Sequence, residues 1–222
     1  KIKFPYFSMG NINSTDLFSA NEFIIFYLYY IYKKKNIKAL DLGANLGLHT
    51  IILNKLGYSV TSYEPDPFIF KRLRKNILEN KCKKVHLKNL AIFDKSTKLK
   101  FTRVINNLTG SHISTEKKSY GKKNYITVKT QDIRSIIKNF DLIKMDIESA
   151  EARVLIALKK LDFKKKIFII EIGNKNNAKK IFYFLKKKKI NFFSQKNNFK
   201  KIKIFKQMPQ CHQDGALIIK NN

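Results

Sequence analysis

Ala39-Leu-Asp-Leu-Gly-Ala-Asn-Leu-Gly-Leu-His-Thr50 is the stretch that decides the fold. Ile37 to Leu42 is a short apolar run interrupted only by Lys38 and Asp41, the pattern of a strand buried on both faces of a parallel sheet. Gly43 and Gly47 bracket a turn, after which Leu48, Ile51, Ile52 and Leu56 recur at helical spacing until Gly57 stops them as a C-terminal cap. A strand, a small-residue turn and a helix in that order let main-chain N–H groups come close to a ligand. Ser59 to Tyr63 reads as the next strand. It ends at Glu64, 21 positions after Gly43, about where a nucleoside-binding α/β unit places the carboxylate that accepts both ribose hydroxyls.

Outward from this unit the alternation continues. Asp66 with Pro67 opens a helix whose inner face is Phe70, Leu73 and Ile77 and which Asn80 ends. Val85 to Leu87 is a third strand. Leu99 to Val104 and Tyr125 to Val128 read as strands flanking a polar loop that holds Gly110, Ser111, His112 and Gly121, and Gln131 to Asn139 reads as a short helix. Asp141 to Asp146 is the fourth strand, followed by a turn and a helix with Val154, Leu158 and Leu161 inward. Lys166 to Glu171 is the fifth, Ala178, Ile181, Phe182 and Leu185 mark a further helix, and Phe199 to Phe205 and Ala216 to Ile219 close the chain as strands. Such alternation predicts an α/β fold, a doubly wound, mostly parallel sheet covered on both faces. Residues 37–222 are expected to form one domain, with residues 1–36 an irregular lead-in and a largely buried helix, Asn21 to Lys35, packed on its core.

Ligands of these sheets bind beyond the carboxyl ends of the strands. Asp41, Glu64, Asp146 and Glu171 stand at or near such ends, so four acids from distant segments are expected in one crevice, although each also suits the cap of the helix that follows. The formal net charge of +30 points the other way, toward nucleic acid. Yet only Arg72, Arg74, Arg103, Arg134 and Arg153 among the 46 basic residues are arginines, the better fork for phosphate. Many lysines also cluster where helices should end, as at Lys33 to Lys35 and Lys186 to Lys189. A solvated basic surface is expected, and a nucleic-acid partner is the less favoured reading. The longest apolar run, Phe23 to Tyr32, is too short to span a membrane, so a soluble chain is expected. Cys82 and Cys211 have no metal-ligand spacing and fit a reduced, cytoplasmic setting.

Several segments, in order, resemble the FkbM family of S-adenosylmethionine-dependent methyltransferases. Asp41-Leu-Gly-Ala-Asn-Leu-Gly47 is similar to the family's Asp-x-Gly-Ala-Asn-x-Gly turn, and Tyr63-Glu-Pro-Asp-Pro67 to its second-strand Glu-Pro segment. Asn89-Leu-Ala91 resembles the segment flanking the adenine, Thr130 and Asp132 a Thr-x-Asp step, and Asp141-Leu-Ile-Lys-Met-Asp-Ile-Glu148 the Asp-Leu-Ile-Lys-x-Asp-x-Glu signature. Ser149 stands where the family usually has Gly, which puts the geometry of that turn in question. The resemblance implies a class I methyltransferase fold, Rossmann-like with an antiparallel C-terminal strand, and S-adenosylmethionine as cofactor. Asn45 and Leu48 occupy the second and third positions of a dehydrogenase Gly-x-Gly-x-x-Gly, which weakens a dinucleotide reading.

On this resemblance, Gly43, Asn45 and Gly47 let the methionine part of the cofactor pass over the turn, with Asp41 near its ammonium group. Glu64 takes the ribose, Asp66 lies beside it, and Asn89 and Ala91 flank the adenine. An alcohol acceptor holds its proton at neutral pH, and a positioned base is worth roughly a hundred- to ten-thousand-fold. Asp146 and Glu148 are the candidates, with Lys144 to orient one of them or the substrate. No His stands beside them in sequence, and no metal is expected, although two carboxylates are a possible ligand pair for a divalent ion. His49 reads as a structural residue of the first helix, His112 as a structural or solvent-exposed residue of the polar loop with reach to the site as the less favoured reading, and His86 and His212 carry no motif. The resemblance implies O-methylation of a sugar, glycolipid or related natural-product hydroxyl on a small-molecule or glycan acceptor. An RNA methyltransferase, or a non-catalytic basic binding module on the same fold, are the alternatives.

Overall fold

A computed structural model describes residues 1–118 and 120–221; Ser119, within the expected polar loop, and Asn222, the last residue of the expected domain, lie outside them. The Ser19 side chain accepts the Glu22 amide and so opens helix α1 (Ala20–Ile31). Then follow β1 (Lys38–Leu42), α2 (Leu48–Lys55), β2 (Ser59–Tyr63), α3 (Pro67–Glu79) and β3 (Val85–Lys88). Helix α3 starts as its sequence dictates: Asp66 accepts the Phe68 amide, Pro67 takes the first position, and Ile69, Leu73 and Ile77 turn inward. The chain continues through β4 (Ala91–Phe93), β5 (Lys98–Val104), β6 (His112–Ile113) and β7 (Lys123–Asp132). It ends with β8 (Leu142–Met145), α4 (Glu151–Ala157), β9 (Ile167–Ile170), α5 (Lys175–Lys187), β10 (Phe192–Ser194) and β11 (Leu217–Lys220).

Seven strands form the main sheet in the order β10-β11-β9-β8-β1-β2-β3. The five from β9 to β3 run parallel, while β11 is antiparallel to both its neighbours, giving the expected doubly wound, Rossmann-like arrangement. The winding direction reverses at β1, where such folds open a crevice. Leu40 and Leu42 point to the face covered by α4 and α5, and Ala39 to the face covered by α1 and α2. Both faces are apolar because both are covered, which explains the unbroken burial along β8 and β9. A second, smaller sheet, β4-β7-β5-β6, grows from the segment between β3 and β8. Among the described residues no helix is long and apolar enough to cross a membrane.

Four expectations need correction. Helix α1 buries only Ile25, Leu28 and Tyr29, while Phe23, Tyr27 and Tyr30 are exposed, so its aromatics do not all face the sheet. The segment 131–139 is not a helix. Asp132 ends β7 and accepts the Arg134 amide, and Ile136, at φ −122° and ψ −29°, leaves the helical conformation and separates two single 3-10 turns. Helix α4 stops at Ala157, which leaves Leu161 73% exposed and gives its inner position to Phe163. The chain from Phe199 to Phe205 makes one isolated bridge, Phe193 to Lys201, and the strand beside β11 is β10 instead. In the last three cases local apolar periodicity was overridden by a cap or by a better partner strand.

Candidate active site

Strand register builds the site. Leu42 pairs with both Tyr63 and Met145, and Met145 with Ile170, so β1, β2, β8 and β9 end level with one another. The next residues are Gly43, Glu64, Asp146 and Glu171, and their amides continue the ladder: Gly43 to Tyr63 O, Asp146 to Leu42 O and Glu171 to Met145 O, at 2.9–3.0 Å. All four line one cavity of about 520 Å³, a size that suits a nucleoside-containing ligand. Gly43 has φ +77°, and any side chain there would run into the Asp146 carbonyl, so the turn needs glycine for close strand approach.

Glu64 is held in place by main chain. Its Oε2 accepts the Asn45 amide at 2.9 Å and its Oε1 the Asp66 amide at 2.8 Å, with Asn45 in the left-handed region at φ +49°. Burial pushes the Glu64 pKa up to about 7, and the two amides moderate the rise. A carboxylate offers about four lone-pair sites, so two remain for ligand hydroxyls. Leu90, Ala91 and Ile92 supply an apolar wall beside it. A pinned acceptor-only group, an apolar wall and an acidic far end fit the ribose, the ring and the cationic end of S-adenosylmethionine.

Other expected site residues stand behind the wall. Asp41 is fully buried, with Oδ2 accepting from Thr50 at 2.6 Å, and Thr50 also bonds Ser62. The cation it meets is Lys144, directly opposite in the β1–β8 register with Nζ 3.8 Å from Asp41 Oδ1. Direct contact between Asp41 and a ligand ammonium is therefore revised to support of the turn. Gly47 packs against Leu73 of α3, not on the cavity. Asn89 is also outside the lining; its Nδ2 donates to the carbonyls of Glu64 and Pro65 and clamps that loop. Asp66 reaches the cavity, but Arg103 grips its carboxylate with two bonds of 2.6 Å, so the side chain braces Glu64's loop. Ala91 lines the cavity.

At the opposite end, Lys144 is buried and donates to the Gly43 carbonyl at 3.2 Å, while its Nζ lies 3.6 Å from Asp146 Oδ2. Burial works against its charge, but Asp146, Asp41, Glu22 and Glu171 outweigh it and raise its pKa. Burial, with Glu171 nearby, drives the Asp146 pKa well above the usual carboxylate range. Glu148 is paired with Lys117 at 2.5 Å. Glu148 and Ser149 both have positive φ, +53° and +83°, a conformation that favours Gly, and Asn174 donates to Ser149 Oγ at 2.8 Å. Among the described residues no group of three or more His, Cys, Asp or Glu is arranged to hold a metal ion.

Sequence reasoning missed four contributors. Glu22 of α1 lines the cavity and meets His49 Nε2 at 3.0 Å, while Tyr29 bonds His49 Nδ1, which gives His49 the structural place expected of it. Arg103 comes from the second sheet, Lys117 from the loop after β6, and His212 from the turn before β11, where its Nδ1–H donates to Glu171 at 2.6 Å. None lies in a motif, and only tertiary packing brings them in. His112 is buried and bonds the Gly110 carbonyl without lining the cavity.

Solved structures share this architecture. Precorrin-6y C5,15-methyltransferase from Geobacter metallireducens superposes with a TM-score of 0.52 at 9% identity, covering 97% of this chain and 100% of that one. A Streptococcus mutans protein described as a methyltransferase and solved with SAH gives 0.52 at 10%, covering 92% and 99%. A Clostridium thermocellum protein described as an rRNA methylase gives 0.51 at 11%, covering 91% and 94%. At such identities these likenesses establish the fold, that of class I methyltransferases. No curated protein matches the sequence significantly. The profile of the methyltransferase FkbM domain matches residues 41–201, from the Gly turn through the second signature to the last part of the sheet. The chain belongs to the FkbM methyltransferase family.

Proposed function

We propose that this methyltransferase places a methyl group from S-adenosylmethionine on a hydroxyl oxygen of a sugar, glycolipid or related natural product. The observation that carries the reading is the level ending of four strands, which gathers Gly43, Glu64, Asp146 and Glu171 around one cavity. When bound, the sulfonium donor supplies an electrophilic methyl carbon. Glu64 accepts the ribose hydroxyls, Leu90, Ala91 and Ile92 flank the adenine, and Gly43 and Asn45 border the methionine. Lys144 and Asp41 fix the Gly43 turn from below. Asp146 borders the acceptor and orients its oxygen so that a lone pair faces the methyl, an alignment that supplies most of what such a displacement requires. Glu148 and Lys117 close the acceptor side.

The charge of the lining supports a neutral acceptor over a nucleic acid. Asp16, Glu22, Glu64, Asp66, Asp146, Glu148 and Glu171, seven of the chain's 16 acids, line the cavity among the described residues, against Lys117 of its 46 lysines and arginines and His212. A phosphate chain entering there meets repulsion, and the surface lysines are left to solvation. Cys82 and Cys211 are both free, in keeping with a cytoplasmic setting. Calorimetry with S-adenosylmethionine and a labelled-methyl transfer screen over glycans, glycolipids and RNA test the reading. Binding together with label on a glycan or glycolipid is the expected result; no donor binding by folded protein would overturn it, and label on RNA alone would replace the acceptor class.

A further inference from the structure

A displacement at an alcohol oxygen leaves a proton to be removed, and Asp146 is poorly placed to release one. Its Oδ2 lies 3.6 Å from the buried Lys144 ammonium, and its side chain is 31% exposed against 49% for His212. At the cavity mouth stands a second arrangement that belongs to none of the motifs. Glu171 follows β9, and its Oε1 accepts from His212 Nδ1–H at 2.6 Å. Both residues line the cavity, and the His212 side chain keeps 49% of its surface exposed. The imidazole lies directly on Gly173, where an added Cβ would come within 2.8 Å of Cε1 and Nε2, so a side chain at 173 would displace the ring.

The turn that carries His212 is anchored from several sides. Asp214 Oδ2 accepts the Gln210 amide and Lys196 Nζ, both at 2.8 Å. Gln195 accepts the Ala216 amide at 3.1 Å and donates to Asn21 at the start of α1 at 2.7 Å.

Resting on the methyl-transfer reading above, we infer that His212 is the proton acceptor for the acceptor hydroxyl and that Glu171 is its positioning residue. Glu171 fixes the tautomer with hydrogen on Nδ1, which leaves the Nε2 lone pair basic and stabilises the imidazolium that forms. As the acceptor oxygen forms its bond to the methyl carbon, the O–H bond breaks toward His212 Nε2, and the electron pair of the carbon–sulfur bond leaves with sulfur. The half-exposed ring then passes its proton to solvent. The groups facing His212 are Glu171 from β9 and Glu148 and Asp146 from the turn after β8; the Glu171 bond and these charges outweigh burial and push its pKa up to about 9. The base is therefore neutral, and competent, on the alkaline side.

Two measurements test this. Imidazole NMR follows four histidines, and the His212 signals are identified by their loss in His212→Gln. The wild-type ring should titrate more than a unit above an ordinary histidine, and Glu171→Gln should bring it back by at least a unit. The second is the pH profile of transfer of labelled methyl to whichever member of the glycan, glycolipid and RNA panel the wild type modifies. Turnover should rise with pH through the His212 midpoint, Glu171→Gln should move that limb to lower pH, and His212→Gln should lose about a hundredfold or more in turnover with donor affinity unchanged. An ordinary His212 midpoint, or a limb unmoved in Glu171→Gln, would overturn the inference while leaving the methyltransferase reading intact. Failure of the wild type to bind the donor or to label anything would overturn that reading first, and this one with it.

Discussion

Lys144 stands directly across the β1–β8 pairing from Asp41, and its single buried ammonium lies 3.8 Å from Asp41 Oδ1 and 3.6 Å from Asp146 Oδ2. One cation thus ties the Gly43 turn to the second signature. Asp41 Oδ1 has no hydrogen bond of its own, so Lys144 is its compensation. Removing one member of such a pair leaves an uncompensated buried charge, which costs about 3–5 kcal/mol. Lys144→Met is expected to lose stability of that order in denaturant unfolding. Adding Asp41→Asn should recover part of the loss, and strict additivity of the two changes would show that the residues do not depend on each other.

The turn at Ser149 makes a second prediction. With φ +83° the residue occupies a conformation that favours glycine, and only its bond from Asn174 offsets the strain. Ser149→Ala keeps the strain and loses the bond, for a cost of about 1 kcal/mol. Ser149→Gly loses the same bond but relieves the strain and should be close to neutral. Equal urea midpoints for the two variants would mean that φ at this position carries no penalty.

The sequence reading succeeded where chemistry is local. Asp66 with Pro67, the Gly57 stop and the inner face of α5 depend on neighbours in the chain, and each stands where expected. The convergence of Glu64, Asp146 and Glu171 was legible because parallel strands end together whatever the loops do. Asp41 and Asn89 were placed one layer too far forward. Side chains alternate along a strand, so Asp41, one residue before the end, points into the α2 layer toward Thr50. The four contributors that were missed, Glu22, Arg103, Lys117 and His212, reach the site from a helix face, a second sheet and two loops. No periodicity encodes that meeting.

Arg103 supports the donor side from a distance. Its guanidinium holds both oxygens of Asp66, whose amide in turn holds Glu64. A planar fork is needed for two parallel bonds, and a lysine ammonium does not reproduce it. Arg103→Lys is expected to weaken S-adenosylmethionine binding several-fold in calorimetry while methyl acceptors bind as before. Unchanged donor affinity would show that the Asp66 brace is structural only.

Asp146 separates alignment from binding. On the proposed function it borders the acceptor and Glu64 the donor, so Asp146→Asn should cut turnover at least tenfold while the donor dissociation constant stays within a factor of about three. The amide is isosteric but replaces the carboxyl that orients the acceptor. Loss of donor affinity matching the loss of turnover would move Asp146 from the acceptor to the methionine.

Glu64 gives the donor site a pH dependence whose sign is fixed by the geometry. Its carboxyl, ordinarily at 4.5, is raised to about 7 by burial. The folded state therefore holds a proton that the unfolded chain gives up between those values, so Glu64 contributes less to stability as pH rises from 4.5 to 7. Binding runs the opposite way, because the ionised form has acceptors for both ribose hydroxyls and the neutral acid does not. Adenosine, which carries the ribose without the methionine amine, isolates the effect. Its affinity for the wild type should rise roughly tenfold between pH 6 and 8 and level off above, since each unit of pKa separates the two forms by about 1.4 kcal/mol. Glu64→Gln should bind more weakly at every pH, with no slope. An adenosine affinity that stays flat across this window in the wild type would place the ribose away from Glu64.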